Sequence, residues 1–383
     1  MDKPTVQDIF HRFYPAYLDQ YSPSPVQAKV AHNIMNCKTG AYGANVCVCE
    51  DCGFVQIHYN SCRNRCCPMC QAVPKEMWMD ARREDVLDAP YFHLVFTVPD
   101  ILNPVIYSNQ RLLYDALYHA ASSTISELTA DPKHLGAKVG YICILHTWGS
   151  EMNFHPHIHT ILLGGGLASN NQWKENGENF FLPIRVISKM FRGKYLEELK
   201  RLWEEDKLVF HGTAEKFRNH YTFKELLDSC YGMDWIPHCK KTFNGAQTVI
   251  KYLGKYTHRI AVSNHRIVRM DDDTVTFLVK DYRNEGQWKE LTISGVEFVR
   301  RFLMHVPPRR FVRIRHYGLL CSRTKSQKLT LCRNLLGCKK YLSKLRDMEM
   351  PEILEHLYGI KVCVCKACGG HLGKPQMRMP LRC

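Results

Sequence analysis

The spacing of apolar and polar positions changes several times along the chain, and each change marks an element. Over residues 6–36 apolar residues recur at helical spacing and lead into a cysteine-rich segment, and residues 74–88 form a second, charged helical stretch. Residues 91–98 (YFHLVFTV) are a β-branched and aromatic run closed by Pro99, residues 110–128 return to helical period, and residues 141–148 and 157–163 have strand character. The turn over 149–154 is short enough for an antiparallel hairpin. Strand, helix, strand, turn, strand predicts an α+β fold with a central antiparallel sheet and flanking helices. Gly164-Gly165-Gly166 is expected to end the strand, 168–179 to be a polar loop and 188–208 a helix. Asn244 is placed to cap a helix over 245–259 with Val249, Ile250 and Leu253 as its buried stripe. A hairpin over 274–280 and 287–293 and a short helix over 295–304 follow.

Within the second strand of the 141–163 hairpin stands His155-Pro156-His157-Ile158-His159. Alternate side chains of a strand point the same way, so His157 and His159 can present two imidazoles to one ion while Ile158 packs behind. With 19 histidines in 383 residues, a triple HxHxH arises by chance on the order of 0.05 times, so the pattern stands above background. Folding the hairpin brings His146 beside this strand as a third ligand, and His155 shares the face if the strand stays extended through Pro156.

Composition narrows the partner. The 52 Lys and Arg against 37 Asp and Glu give a formal charge of +15, which favours a polyanion, and nucleic acid is the commonest one. Residues 1–20 lack the apolar core of a signal peptide, and no uncharged apolar run approaches a membrane span, so a cytoplasmic location without membrane contact is expected. Eighteen cysteines in that compartment point to metal rather than disulfides.

Eight of those cysteines lie between Cys37 and Cys70. The knuckles Cys49-Glu50-Asp51-Cys52 and Cys67-Pro68-Met69-Cys70 have a spacing that suits one tetrahedral zinc, and Cys62 and Cys66, with Cys37 or His32, leave ligands for a second. Near the other end, VCVCKACG (362–369) repeats VCVCEDCG (46–53), so Cys365 and Cys368 offer half a further zinc site, to be completed by Cys363, His371 or Cys383. Closed four-ligand zinc leaves no position for substrate, so these sites are structural.

On the 245–259 helix Tyr252 and Tyr256 are four apart and share a face, with Lys251 and Lys255 beside them and His258 and Arg259 beyond. The cations suit a phosphate backbone and set this pair apart from Tyr114 and Tyr118, which sit in an apolar helix. Over 309–317 (RRFVRIRHY) alternation puts Arg313, Arg315 and Tyr317 on one strand face, a track for single-stranded nucleic acid. A tyrosine hydroxyl is a poor nucleophile at neutral pH, and a metal-polarised phosphate offsets that weakness.

The HPHIH strand, the segments YLGKYTHRIAVSN and NSCRNRCCPMCQ, and the stretch EFVRRFLMHVPPRRFVRIRHYGLL together resemble the two-tyrosine HUH transposases of rolling-circle bacterial insertion sequences, relatives of the Helitron enzymes. The resemblance runs from about residue 25 to about residue 370. It implies an HUH-type nuclease core with small zinc modules at both ends. The implied enzyme cuts and rejoins single-stranded DNA at element ends and target through 5′-phosphotyrosine, uses Mg²⁺ or Mn²⁺, works on the bacterial nucleoid and leaves room for host replication factors. By motif match His157 and His159 are metal ligands and Tyr252 and Tyr256 nucleophiles, with His146, His155 or Gln247 as the third ligand. The family commonly has histidine where this chain has Cys66, and a thiolate can replace it on zinc. The expected domains are 1–85 (helical and zinc-binding), 86–265 (endonuclease with the tyrosine helix), 266–345 (basic DNA-binding extension) and 346–383 (cysteine-rich module). The same residues also leave open a plasmid or phage replication initiator or relaxase, and a non-catalytic zinc-ribbon regulator.

Overall fold

The computed structural model describes residues 3–175, 182–235, 238–243, 249, 254, 261–281, 286–374 and 376–378. Two helices open the chain, α1 (Val6–Gln20) and α2 (Pro25–Met35), each started by a capping box, Thr5 with Asp8 and Ser24 with Gln27. The single helical stretch expected over 6–36 is thus broken. Ser22-Pro23-Ser24-Pro25 removes two amide donors and supplies the second cap.

A hairpin, β1 (Ala44–Val48) and β2 (Val55–Tyr59), and helix α3 (Ala72–Arg83) lead to β3 (Tyr91–Thr97). Helices α4 (Asn103–Ser108) and α5 (Gln110–Ala130) precede the long hairpin of β4 (Lys138–Trp148) and β5 (Phe154–Leu167), and β6 is Trp173–Glu175. Helices α6 (Ile184–Glu204) and α7 (His220–Gly232) come before β7 (His238–Phe243). The antiparallel order of this central sheet is β11-β4-β5-β3-β7, with β6 beside the end of β5 and β11 being Ile314–Gly318.

Both faces of the sheet are covered, which explains why its strands are nearly continuous apolar runs. Phe92, Leu94, Phe96, Cys143, Leu145, Ile158 and Leu162 face a core shared with α5, α6 and α7. The opposite face carries Ile142, Ile144, Ile161 and Leu163 against Met79 of α3 and Leu329 and Cys332 of α9 (Lys325–Leu336). Helix α8, which precedes it, is Gly295–Met304.

The glycine triplet does not end the strand. β5 runs on to Leu167 and pairs with β6, Gly165 opposite Glu175. A side chain there is excluded by close approach: a Cβ on Gly164 would lie 2.7 Å from the Phe92 ring, and one on Gly166 2.5 Å from the Lys138 carbonyl.

A second core joins chain segments far apart in sequence. Ile9, Phe10 and Phe13 of α1 and Ile34 of α2 pack with Phe298, Val299 and Phe302 of α8 and with Phe277 of a meander, β8 (Ile267–Met270), β9 (Thr274–Asp281) and β10 (Gln287–Ser294). Phe10 meets Phe302 edge-on at 5.2 Å. The strand expected over 309–317 is shorter, because Arg310 takes a left-handed turn (φ +60°) and only Ile314–Gly318 joins the sheet. After a final helix, α10 (Met350–Tyr358), β12 (Gln376–Arg378) pairs with β1, so both ends of the chain share one small sheet in the order β12-β1-β2.

Candidate metal centre and zinc clusters

Strand alternation and register assemble the site. His146 lies directly opposite His157, and Ile144 opposite His159, so three imidazoles meet on one face at the turn end of the β4–β5 hairpin. His146, His157 and His159 are 2%, 9% and 8% exposed, and their ligand nitrogens all lie within 4.8 Å of one another. The turn is pinned from outside: the buried His305 donates through Nε2 to the Met152 carbonyl (3.0 Å) and accepts at Nδ1 from the Thr147 hydroxyl (3.2 Å). Burial pushes the pKa of His305 down to about 4, so the ring is neutral and suited to both roles.

The far nitrogens of the two HPHIH imidazoles are already occupied. His157 Nδ1 donates to the His155 carbonyl (2.7 Å), and His159 Nδ1 lies 2.9 Å from Nε2 of His93 on β3. Both rings therefore turn Nε2 inward, 3.1 Å apart. Two imidazole nitrogens each about 2.1 Å from one ion stand about 3 Å from each other, so the pair fits a divalent cation. His93 was not singled out in the sequence, where a lone histidine in YFHLVFTV resembles a core residue. His155 lies outside the cluster: the β4–β5 register shifts between His146 and Trp148, and the His155 ring faces Asp100 instead (3.2 Å). Gln247 lies outside the described residues, and of the described candidates His146 is the one that stands with His157 and His159.

The cysteines group differently from the spacing-based expectation. Cys37, Cys62, Cys67 and Cys70 form one cluster, and Cys49 and Cys52 join Cys365 and Cys368 in another. The two N-terminal knuckles thus do not share an ion, because the β1–β2 hairpin carries the first away from the second. Four thiolates 2.3 Å from a tetrahedral ion lie about 3.8 Å apart. Cys62 and Cys70 sulfurs are 3.8 Å apart, Cys49 and Cys368 3.6 Å, and Cys52 and Cys365 3.8 Å. Both donor sets fit zinc. Cys66 belongs to neither cluster; it is buried in the second core, and burial pushes its thiol pKa up. Cys363 and His371 are also outside them, the latter facing Glu50 (3.5 Å).

Tyr252, Tyr256, Lys251, Lys255 and Arg259 lie outside the described residues. Two of their neighbours are described: Val249 is buried in the same cluster as Ile144 and Ile161, and Gly254 lies against Met79. Arg315 does not face outward as a strand track would. It pairs with Asp115 and stacks 4.0 Å from the Tyr118 ring centroid, while Tyr317 stacks on Tyr141 at 5.2 Å. Arg313 lines a small crevice with Cys66, Trp148 and His305.

Comparison with known proteins agrees with this division into a zinc-binding part and a histidine-bearing core. Residues 140–328 match the family described as "Putative transposase", and residues 9–98 the family described as "Transposase zinc-binding domain". Putative transposase y4qJ of Sinorhizobium fredii (strain NBRC 101917 / NGR234) is 40% identical over 369 residues, 95% of this chain and 93% of the relative. The transposase for insertion sequence element IS801 of Pseudomonas savastanoi pv. phaseolicola is 30% identical over 309 residues, 79% and 72% of the two chains. Among solved structures, the metal-bound conjugative relaxase TrwC in complex with oriT DNA aligns over 43% of this chain and 69% of its own, at 14% identity and a TM-score of 0.24, too loose to carry an argument. No helix among the described residues is long and apolar enough to cross a membrane. The chain belongs to the family of rolling-circle insertion-sequence transposases with an N-terminal zinc-binding domain.

Proposed function

We propose that this transposase nicks and rejoins single-stranded DNA at the ends of an insertion sequence and at its target, through 5′-phosphotyrosine bonds made in turn by Tyr252 and Tyr256. The observation that carries this reading is the buried convergence of His146, His157 and His159 with two Nε2 atoms turned to one point. A Mg²⁺ or Mn²⁺ ion held by those three would neutralise and orient the scissile phosphate. Among the described residues no carboxylate joins the imidazoles. Three neutral imidazoles would leave the double charge undiminished for an anionic substrate, and as nitrogen donors they suit Mn²⁺ better than the harder Mg²⁺.

The chemistry then falls to the chain itself. A tyrosine Oη attacks phosphorus, the P–O3′ bond breaks, and the phenolic proton ends on the departing 3′ hydroxyl. Reversal by a 3′ hydroxyl restores the phosphodiester and frees the tyrosine. Val249 and Gly254, which bracket Tyr252 and precede Tyr256, lie on the sheet face that bears the histidines, and this supports the assignment of these two phenols. The formal charge of +15 supports a nucleic-acid substrate.

The test is incubation with Mn²⁺ and a 3′-labelled single-stranded oligonucleotide carrying an element end. A labelled adduct that survives SDS is expected. Tyr252→Phe and Tyr256→Phe should each keep part of the single cleavage yet abolish complete transposition. No adduct with any end sequence would sink the proposal, and full transposition by either variant would make that phenol structural.

A further inference from the structure

The geometry points to one zinc ion held jointly by the two ends of the chain, through Cys49 and Cys52 with Cys365 and Cys368, acting as a clasp between the N-terminal zinc-binding module and the C-terminal segment. The matched zinc-binding family spans residues 9–98 only, so half of this site lies outside it.

The repeated sequence builds two like halves. In the first, the Cys49 amide donates to Phe54 O (2.9 Å) and Gly53 N to Cys49 O (3.0 Å), with Gly53 at φ +72°. In the second, Cys365 N donates to Gly370 O (2.8 Å) and Gly369 N to Cys365 O (3.0 Å), with Gly369 at φ +78°. Each turn needs a positive φ just after its second cysteine, where glycine is at ease. The amides of Ala367 and Gly370 point at the sulfurs of Cys365 and Cys368, both at 3.4 Å, which stabilises thiolates.

Among the described residues, the other N-terminal knuckle is not open to either half. Cys67 and Cys70 are taken up with Cys37 and Cys62. The backbone also ties the halves together, Glu50 N to His371 O (3.1 Å) and Gly373 N to Val48 O (2.9 Å). Among the described residues, the buried apolar core between them is Cys47, Cys49, Cys365 and Leu372. A core that small does not hold two chain ends together by itself, so a metal is needed there.

The prediction is tested on the full chain by zinc content. Two zinc ions per chain are expected in the wild type. Cys365→Ser with Cys368→Ser should leave one, Cys49→Ser with Cys52→Ser should leave one, and all four together should still leave one. Two ions remaining in the first variant, or losses that add, would overturn the clasp. Should these variants not fold, the wild type answers alone by alkylation during stepwise chelation. Cys49, Cys52, Cys365 and Cys368 should become reactive in a single step, distinct from that of Cys37, Cys62, Cys67 and Cys70. Reaction of Cys365 and Cys368 while Cys49 and Cys52 stay protected would overturn it equally.

Discussion

His159 illustrates how one hydrogen bond can decide a metal site. When its Nε2 faces an ion, Nδ1 carries the proton and donates it to His93 Nε2, 2.9 Å away. Removing such an outer partner commonly weakens metal binding about 10- to 100-fold. His93→Ala should therefore lower Mn²⁺ affinity about tenfold or more, and His93→Gln, whose amide oxygen can accept the same proton, should recover part of it. A Mn²⁺ titration followed by electron paramagnetic resonance reads both, and equal affinity in all three proteins would refute the role. The pair His157 and His159 was legible in the sequence because strand alternation is local. His93 was not, since only the sheet register brings it to His159, and His155 shows that alternation fails where the register shifts. His305 adds a pH dependence. Its folded pKa of about 4 lies below the unfolded value, so the unfolded chain binds the extra proton between about pH 6.5 and 4. Stability should fall as pH drops through that window, by on the order of 3 kcal/mol from this group. His305→Gln should flatten that part of the melting-temperature profile, and an unchanged slope would contradict it.

Among the elements, the hairpin of β4 and β5 was legible almost whole, because a short turn between two apolar runs leaves few alternatives. Its far end was not. Gly164 to Gly166 carry a stop signal locally, but the space they leave is taken by Phe92, Trp173 and the Lys138 carbonyl, which come from three other segments. Gly166→Ala should destabilise the chain by about 1–3 kcal/mol, because the atom it meets is backbone and cannot swing aside. Urea unfolding checks this, and a neutral result would mean the sheet end is looser than its contacts imply. The basic strand gives the converse case. Alternation correctly put Arg315 and Tyr317 on one face, yet Asp115 and Tyr118 on α5 turn that face onto the protein.

For the whole molecule, the cysteine clusters mark the limit of reading by spacing. Cys52 and Cys365 are 313 residues apart, and no local pattern indicates that they meet. A cross-link closing so long a loop restrains the unfolded chain by roughly 6 kcal/mol in the chain-entropy account, so loss of that ion should be felt globally. The same topology packs the cluster of Cys37, Cys62, Cys67 and Cys70 against a core that shares α1, α2 and α8, while the histidines stand on a separate sheet with both faces covered. The cysteine clusters and the histidine cluster are thus divided between parts of the fold, and His157→Ala is expected to abolish cleavage while leaving DNA binding and zinc content intact. Peptide mapping of the covalent protein–DNA adduct formed with Mn²⁺ distinguishes these two tyrosines from every other nucleophile of the chain. A nucleotide-modified peptide carrying Tyr252 or Tyr256 is expected in the wild type and no adduct in His157→Ala; attachment at any other residue, or an adduct that persists without His157, would refute metal-assisted phosphotyrosine chemistry by this pair.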